Sequence, residues 1–139
     1  MVVLLDTNIL IDYLTNRDVP SVEASKKIME LCAENKVKGY IAFHTLPTLW
    51  YVFRKDYSDE RKRVMLKSVC SVLNIAFAPK SLVLSAIDDE KFGDFEDCLQ
   101  DKCAVSAQCE YIITSNIKDF TSSVVKAITP EDFINRLSN

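Results

Sequence analysis

The sequence predicts an α/β protein in which a mostly parallel sheet is covered by helices on both faces. Two observations carry this. Apolar runs of strand length ("VVLL", "GYIAF", "NIAFA", "YIIT", "VVKAIT") recur along the chain, and longer segments of helical period separate most of them. Such alternation makes neighbouring strands parallel, because each crossover returns the chain to the same end of the sheet. The second observation is bulk composition: 139 residues, 48% hydrophobic and 27% charged, with only 2 Gly and 4 Pro. That suits one folded domain spanning 1–139, and it argues against disorder and against a Gly-rich phosphate loop.

Each element has its own warrant. "VVLL" is a buried strand, and a short helix follows through Ile9–Leu14. In 21–35, Ala24, Ile28, Leu31 and Cys32 share one face at amphipathic helical spacing. "GYIAF" (39–43) is the second strand. After it, Leu46, Leu49, Trp50 and Phe53 follow the i, i+3, i+4, i+7 pattern, with Pro47 tolerated in the first turn. A helix over about 59–73 turns Met65, Val69, Val72 and Leu73 inward. "NIAFA" (74–78) is the third strand, and a helix begins near Pro79. "DFEDCLQDKCAVSAQC" (94–109) is helical, "YIIT" and "VVKAIT" are strands, and a closing helix starts from Pro130.

Charge and cysteine usage narrow the classes. Net charge is −3, so the whole chain is no general nucleic-acid glue. Residues 1–70 hold 11 Lys and Arg against 9 Asp and Glu, whereas 71–139 hold 6 against 11, so the acids gather in the second half. Five cysteines (Cys32, Cys70, Cys98, Cys103, Cys109) form no CxxC pair and face a single histidine, His44. Small buried thiols in a reducing compartment are the expectation, not a zinc site. No apolar run reaches the roughly 20 residues of a membrane span, and Asp6 interrupts any signal-like stretch. The expected location is therefore the cytoplasm.

In parallel α/β sheets, ligands gather beyond the carboxyl ends of the strands. Asp6, Thr7 and Asn8 end the first strand there; Thr114, Ser115, Asn116 and Asp119 follow "YIIT". A third group is Asp94, Asp97 and Asp101, three and four residues apart. If the helix starts at Asp94, that spacing sets all three on one face. Converging carboxylates raise one another's pKa, and a hard divalent cation relieves the repulsion. Such a cation polarises a phosphoryl oxygen and yields a nucleophilic water, which suits phosphodiester hydrolysis. Each acid has a plainer reading: Asp94 as an N-cap, Asp97 as a first-turn acid, Asp101 as solvated, Asp12 as a local cap and Asp119 as a turn former. Asp6 resists it, since a carboxylate ending an apolar strand needs a partner.

With "LLDTNILIDYL" at the start, "DFEDCLQDKCAVSAQCEYIITSNIKDF" late and "ITPEDFI" near the end, the chain resembles the PIN domain family of VapC-type toxins over nearly its whole length. The resemblance implies a three-layer α/β/α sandwich and metal-dependent endoribonuclease activity with Mg²⁺ or Mn²⁺. It makes Asp6 the central metal ligand and Asp97 and Asp94 the acids of the late helix. Asn116 takes the place where many relatives carry a fourth acid, with Asp119 close behind. Thr7, Asn8 and Thr114 form a supporting polar shell, the Asn8 amide orienting Asp6. It also implies an RNA substrate, an antitoxin partner and a homodimer.

Two departures stand out. Relatives usually carry a glutamate early in the helix after the second strand, but no acid lies between Gly39 and Arg54, and Thr48 stands near the expected place. Asn116 is neutral. Both predict weaker metal binding than four acids would give, and they motivate a rival reading: a PIN-like domain that binds RNA or a protein without cleaving. His44 is a further candidate ligand or phosphate contact, though a histidine at a strand–helix junction is more often structural. The basic stretch Arg54, Lys55, Arg61, Lys62, Arg63 and Lys67 could meet phosphates; a solvated helix face explains it at least as well. Trp50, Tyr51 and Phe53 sit at core spacing. A receiver-type phosphoacceptor fits poorly, because the third strand ends "NIAFAPK" without an acid. A haloacid-dehalogenase-like phosphatase lacks its second acid, position 8 being Asn.

Overall fold

The computed structural model describes residues 1–139 and contains five strands, seven α-helices and one 3₁₀ turn. The strands are β1 (Val2–Leu5), β2 (Lys38–Ala42), β3 (Asn74–Ala76), β4 (Tyr111–Ile113) and β5 (Lys126–Ile128). They form one sheet in the order β3-β2-β1-β4-β5, and every neighbouring pair is parallel. The helices are α1 (Thr7–Thr15), α2 (Val22–Ala33), α3 (Thr45–Val52), α4 (Asp59–Val72), α5 (Lys80–Asp88), α6 (Phe95–Ser106) and α7 (Pro130–Leu137). The 3₁₀ turn is Ile117–Phe120. This is the α/β/α arrangement expected.

Unbroken apolar strands follow from this layering. Successive strand residues face opposite sides of a sheet, so a sheet covered on both faces needs apolar residues at every position. Val3, Leu5, Ile41 and Ile113 pack on one face with Ile9, Leu10, Ile28, Leu49, Met65, Val69 and Phe133. Leu4, Ala42, Ala76 and Ile112 pack on the other with Ala86, Cys98, Cys103, Ala104 and Phe120. Helices α1, α2, α3, α4 and α7 thus lie on the first face, and α5, α6 and the 3₁₀ turn on the second. Fully burying each large aliphatic side chain contributes about 1.5–3 kcal/mol.

Local chemistry sets the helix limits. Ser58 caps α4 by accepting the Arg61 N–H, Thr129 caps α7 by accepting the Asp132 N–H, and Pro130 fills the first helical position of α7, where a missing N–H costs nothing. β3 and β5 are shorter than "NIAFA" and "VVKAIT", because Phe77, Ala78, Val124 and Val125 lie outside the ladder. All five cysteines are free, and four are buried as expected; Cys70 is exposed. Tyr51 also departs from a core reading. It is exposed, with the Arg54 guanidinium 3.7 Å from its ring centroid. Lys62, in the basic stretch, is buried with its ammonium 3.9 Å from the Trp50 ring centroid and 2.9 Å from Asp59. No helix is long and apolar enough to cross a membrane.

Candidate active site

The chain leaves β1 to build β2 and β3 on one side, then returns to build β4 and β5 on the other. Strand order therefore reverses between β1 and β4, and a crevice opens at their carboxyl ends, the usual ligand position in such sheets. Asp6 and Thr114 are the first residues past those two ends. The Asp6 N–H donates to the Ile113 carbonyl at 2.9 Å, continuing the ladder one residue beyond the strand.

The Asp6 carboxylate is buried and satisfied on both oxygens. Gln100 Nε2 donates to Oδ1 at 2.8 Å, and Thr114 Oγ1 donates to Oδ2 at 2.8 Å. Burial pushes the Asp6 pKa up; the Gln100 and Thr114 side chains and the Thr7 N–H oppose this, and the Asp119 charge adds to it. Thr114 is thus where it was expected. Asn8 is not: it is exposed, and the donor to Asp6 comes from Gln100, one helical turn beyond Asp97 on α6. Thr7 is buried against Thr45, with the two hydroxyl oxygens 3.3 Å apart.

Gln100 is the partner of Asp6 that sequence reasoning did not reveal. Its signal was available in "DCLQD", a polar amide three residues after Asp97 and on the same helical face, in the element expected to cover the sheet edge. Its carbonyl oxygen is buried and has no hydrogen-bond partner.

The three aspartates of the late helix do not act as one group. Helix α6 starts at Phe95, so Asp94 lies outside it as the N-cap and accepts the Asp97 N–H at 2.9 Å. Asp97 is half-buried in the first turn. Burial, then the charges of Asp6, Asp94, Asp119 and Glu96, push its pKa up to about 7. Asp101, expected in solvent, is fully buried and serves the fold. Its two oxygens accept the Val124 and Val125 N–H groups, each at 3.0 Å, and Lys102 Nζ lies 3.5 Å away.

Asn116 is exposed and donates its N–H to Thr114 Oγ1 at 3.0 Å, so the residue after β4 is tied to the hydroxyl that holds Asp6. Asp119, in the 3₁₀ turn, is exposed; it lines a cavity of about 270 Å³ together with Asp94, Lys91 and Lys118. His44 lies at the start of α3, and its Nε2 is 3.1 Å from the Glu96 carbonyl oxygen. Asp12 is local in its contacts, 3.4 Å from Arg17.

The donor chemistry suits a hard divalent cation. The acids and amides of the site offer oxygen ligands, and burial, followed by the charges of neighbouring acids, holds the Asp97 proton near neutrality. No three His, Cys, Asp or Glu side chains converge closely enough to enclose an ion by themselves.

A family model described as PIN domain matches residues 2–118. Ribonuclease VapC1 of Aquifex aeolicus (strain VF5) is 32% identical over 139 residues, spanning 96% of this chain and 94% of the relative. DNA-bound VapBC from Salmonella typhimurium superimposes with a TM-score of 0.72 at 18% identity, covering 94% of this chain and 98% of that one. VapBC2 from Rickettsia felis, bound to a DNA fragment from its promoter, gives 0.70 at 20% identity, with 93% and 98% covered. At these identities the two structures establish a shared fold.

Proposed function

The chain belongs to the PIN domain family, and from that premise we propose that it is a divalent-metal-dependent endoribonuclease, the toxin of a toxin–antitoxin pair. RNA is the substrate, an antitoxin protein is the partner, the working form is a homodimer, and the compartment is the cytoplasm. One observation carries the reading: a buried carboxylate, Asp6, is fixed on both oxygens at the strand-order switch, close enough to Asp97 for its charge to help raise the Asp97 pKa.

Asp6 and Asp97 would hold Mg²⁺ or Mn²⁺, with Asp94 and Asp119 beside them and the Asn116 amide as a neutral oxygen. The bound cation supplies Lewis acidity at a phosphoryl oxygen and a water of lowered pKa. The chain's own residues do the positioning. Gln100 and Thr114 hold the Asp6 carboxylate in one orientation, which removes the entropy cost of arranging it for each turnover. Asn116, through its N–H on Thr114, fixes the hydroxyl that fixes Asp6. Burial of Asp6 lowers the local dielectric and strengthens its grip on a cation.

The test is Mn²⁺ calorimetry on the unaltered chain, Asp6→Asn and Asp97→Asn, with RNA cleavage assayed on the same samples. Binding and cleavage that fall together in both variants support a nuclease. Metal binding without cleavage would make the chain a PIN domain that binds without cutting, the reading favoured by the neutral Asn116 and the acid-free α3. Full binding and cleavage in Asp6→Asn would refute the site.

A further inference from the structure

Helix α3 carries no acid, yet a carboxylate stands beside it. The Thr48 hydroxyl of α3 lies 3.1 Å from Glu96 Oε1 on α6, a contact across 48 residues of sequence. The same hydroxyl is 3.1 Å from the His44 carbonyl four residues back. It has one proton to give, and the charged acceptor is the stronger. His44 Nε2 approaches the Glu96 backbone carbonyl at 3.1 Å, so α3 grips this residue at main chain and side chain alike.

A glutamate in the first turn of a helix is favoured by the helix dipole alone. The dipole does not explain why a second helix reaches across to hold it. Nor does it explain the placement: Glu96 is one of the four acids whose charge bears on Asp97. Beside the cluster, the Gln100 amide that donates to Asp6 presents a buried carbonyl oxygen with no partner. A buried oxygen without a donor, on the amide that holds Asp6, is a group that a hard cation would satisfy.

We propose that Glu96, delivered from α6 and steadied by Thr48 of α3, is a further carboxylate ligand of the divalent cation. This rests on the reading of the site as a metal centre. It gives the site a charge that α3 does not supply from its own sequence, and it makes Thr48 a positioning residue.

The experiment is Mn²⁺ calorimetry on three proteins: the unaltered chain, E96Q, and the double variant E96Q/T48E. Unfolding temperatures in chelator check that all three fold; Glu96 is exposed and Gln is isosteric. E96Q is expected to weaken Mn²⁺ binding about tenfold or more. Because Thr48 and Glu96 are in contact, T48E returns a carboxylate to the same place from the other helix, and it is expected to recover most of that loss. A role in helix capping alone would predict no recovery. Unchanged Mn²⁺ affinity in E96Q overturns the assignment of Glu96 and leaves the metal centre standing. No Mn²⁺ binding by the unaltered chain overturns the metal centre, and this assignment with it.

Discussion

Between pH 3.8 and about 7 the Asp97 carboxyl keeps its proton in the folded protein and loses it in the unfolded chain, because burial and four neighbouring acids oppose its charge. The sign follows from proton linkage. With the folded pKa raised, the unfolded state binds fewer protons through this window, so stability falls as pH rises and levels off above about 7. In chelator, Asp97→Asn is therefore expected to melt higher than the unaltered chain at pH 8, with the gap closing towards pH 4. A gap independent of pH would show that ionising Asp97 carries no such cost in the folded protein. A cation must displace that proton, so Mn²⁺ affinity is expected to rise with pH across the same window. Gln100 acts on the neighbouring carboxylate. Gln100→Ala removes the donor to Asp6 Oδ1, and leaving a buried carboxylate oxygen unpaired costs about 1–3 kcal/mol. Urea denaturation reads that loss, and calorimetry reads the weaker Mn²⁺ binding expected from a carboxylate free to turn.

Helix α6 divides its polar residues between two duties, and its Asp101 duty is structural. Asp101→Ala strips both acceptors from the Val124 and Val125 N–H groups and leaves Lys102 without its counter-charge. Breaking a buried pair in this way costs about 3–5 kcal/mol, so urea denaturation should show a large loss. Strand β2 fits tightly against its neighbours at Gly39. A Cβ at Gly39 would lie 2.6 Å from Leu73 Cδ2 and 2.7 Å from Cys32 Sγ, so Gly39→Ala is expected to cost about 1–3 kcal/mol through overpacking. The same elements show what a sequence discloses. Periodicity located all five strands and all seven helices, because α/β layering writes itself into apolar spacing. Asp6 and Thr114 were legible because strand ends are. Asp101 was not: helical spacing sets it one turn beyond Asp97, but the segment that leads into β5 comes to meet it, and its Val124 and Val125 N–H groups take both carboxylate oxygens. Asn8 and Gln100 failed for a related reason. Which amide reaches Asp6 depends on how α6 docks on the sheet, a tertiary fact with no local signature.

On the scale of the whole molecule, the carboxyl edge of the sheet is an unusual place for an RNA-binding surface, since it concentrates negative charge where a polyanion must approach. Asp6, Asp94, Glu96, Asp97 and Asp119 stand there against the nearby Lys91 and Lys118, which share a cavity with Asp94 and Asp119. Net charge is −3, so long-range attraction gives RNA no help in approaching. On the proposed reading, a bound cation reverses the local field and lets a phosphate come close. The reading of the site as a metal centre therefore makes RNA binding itself metal-dependent, separately from cleavage. Fluorescence anisotropy with a labelled single-stranded RNA is expected to show little binding in chelator and clear binding in Mn²⁺. Asp6→Asn is expected to lose the Mn²⁺ response. The salt dependence offers a second reading on the same samples. A protein that neutralises many phosphates with lysine and arginine loses affinity steeply with salt, about 0.7 log units per contact for each tenfold rise in salt on a single strand. A surface that relies on one cation and two lysines should show a shallow slope. Tight, salt-sensitive RNA binding in chelator would instead place the RNA on the basic stretch of α4 and its approach, Arg54 to Lys67, away from the carboxylates.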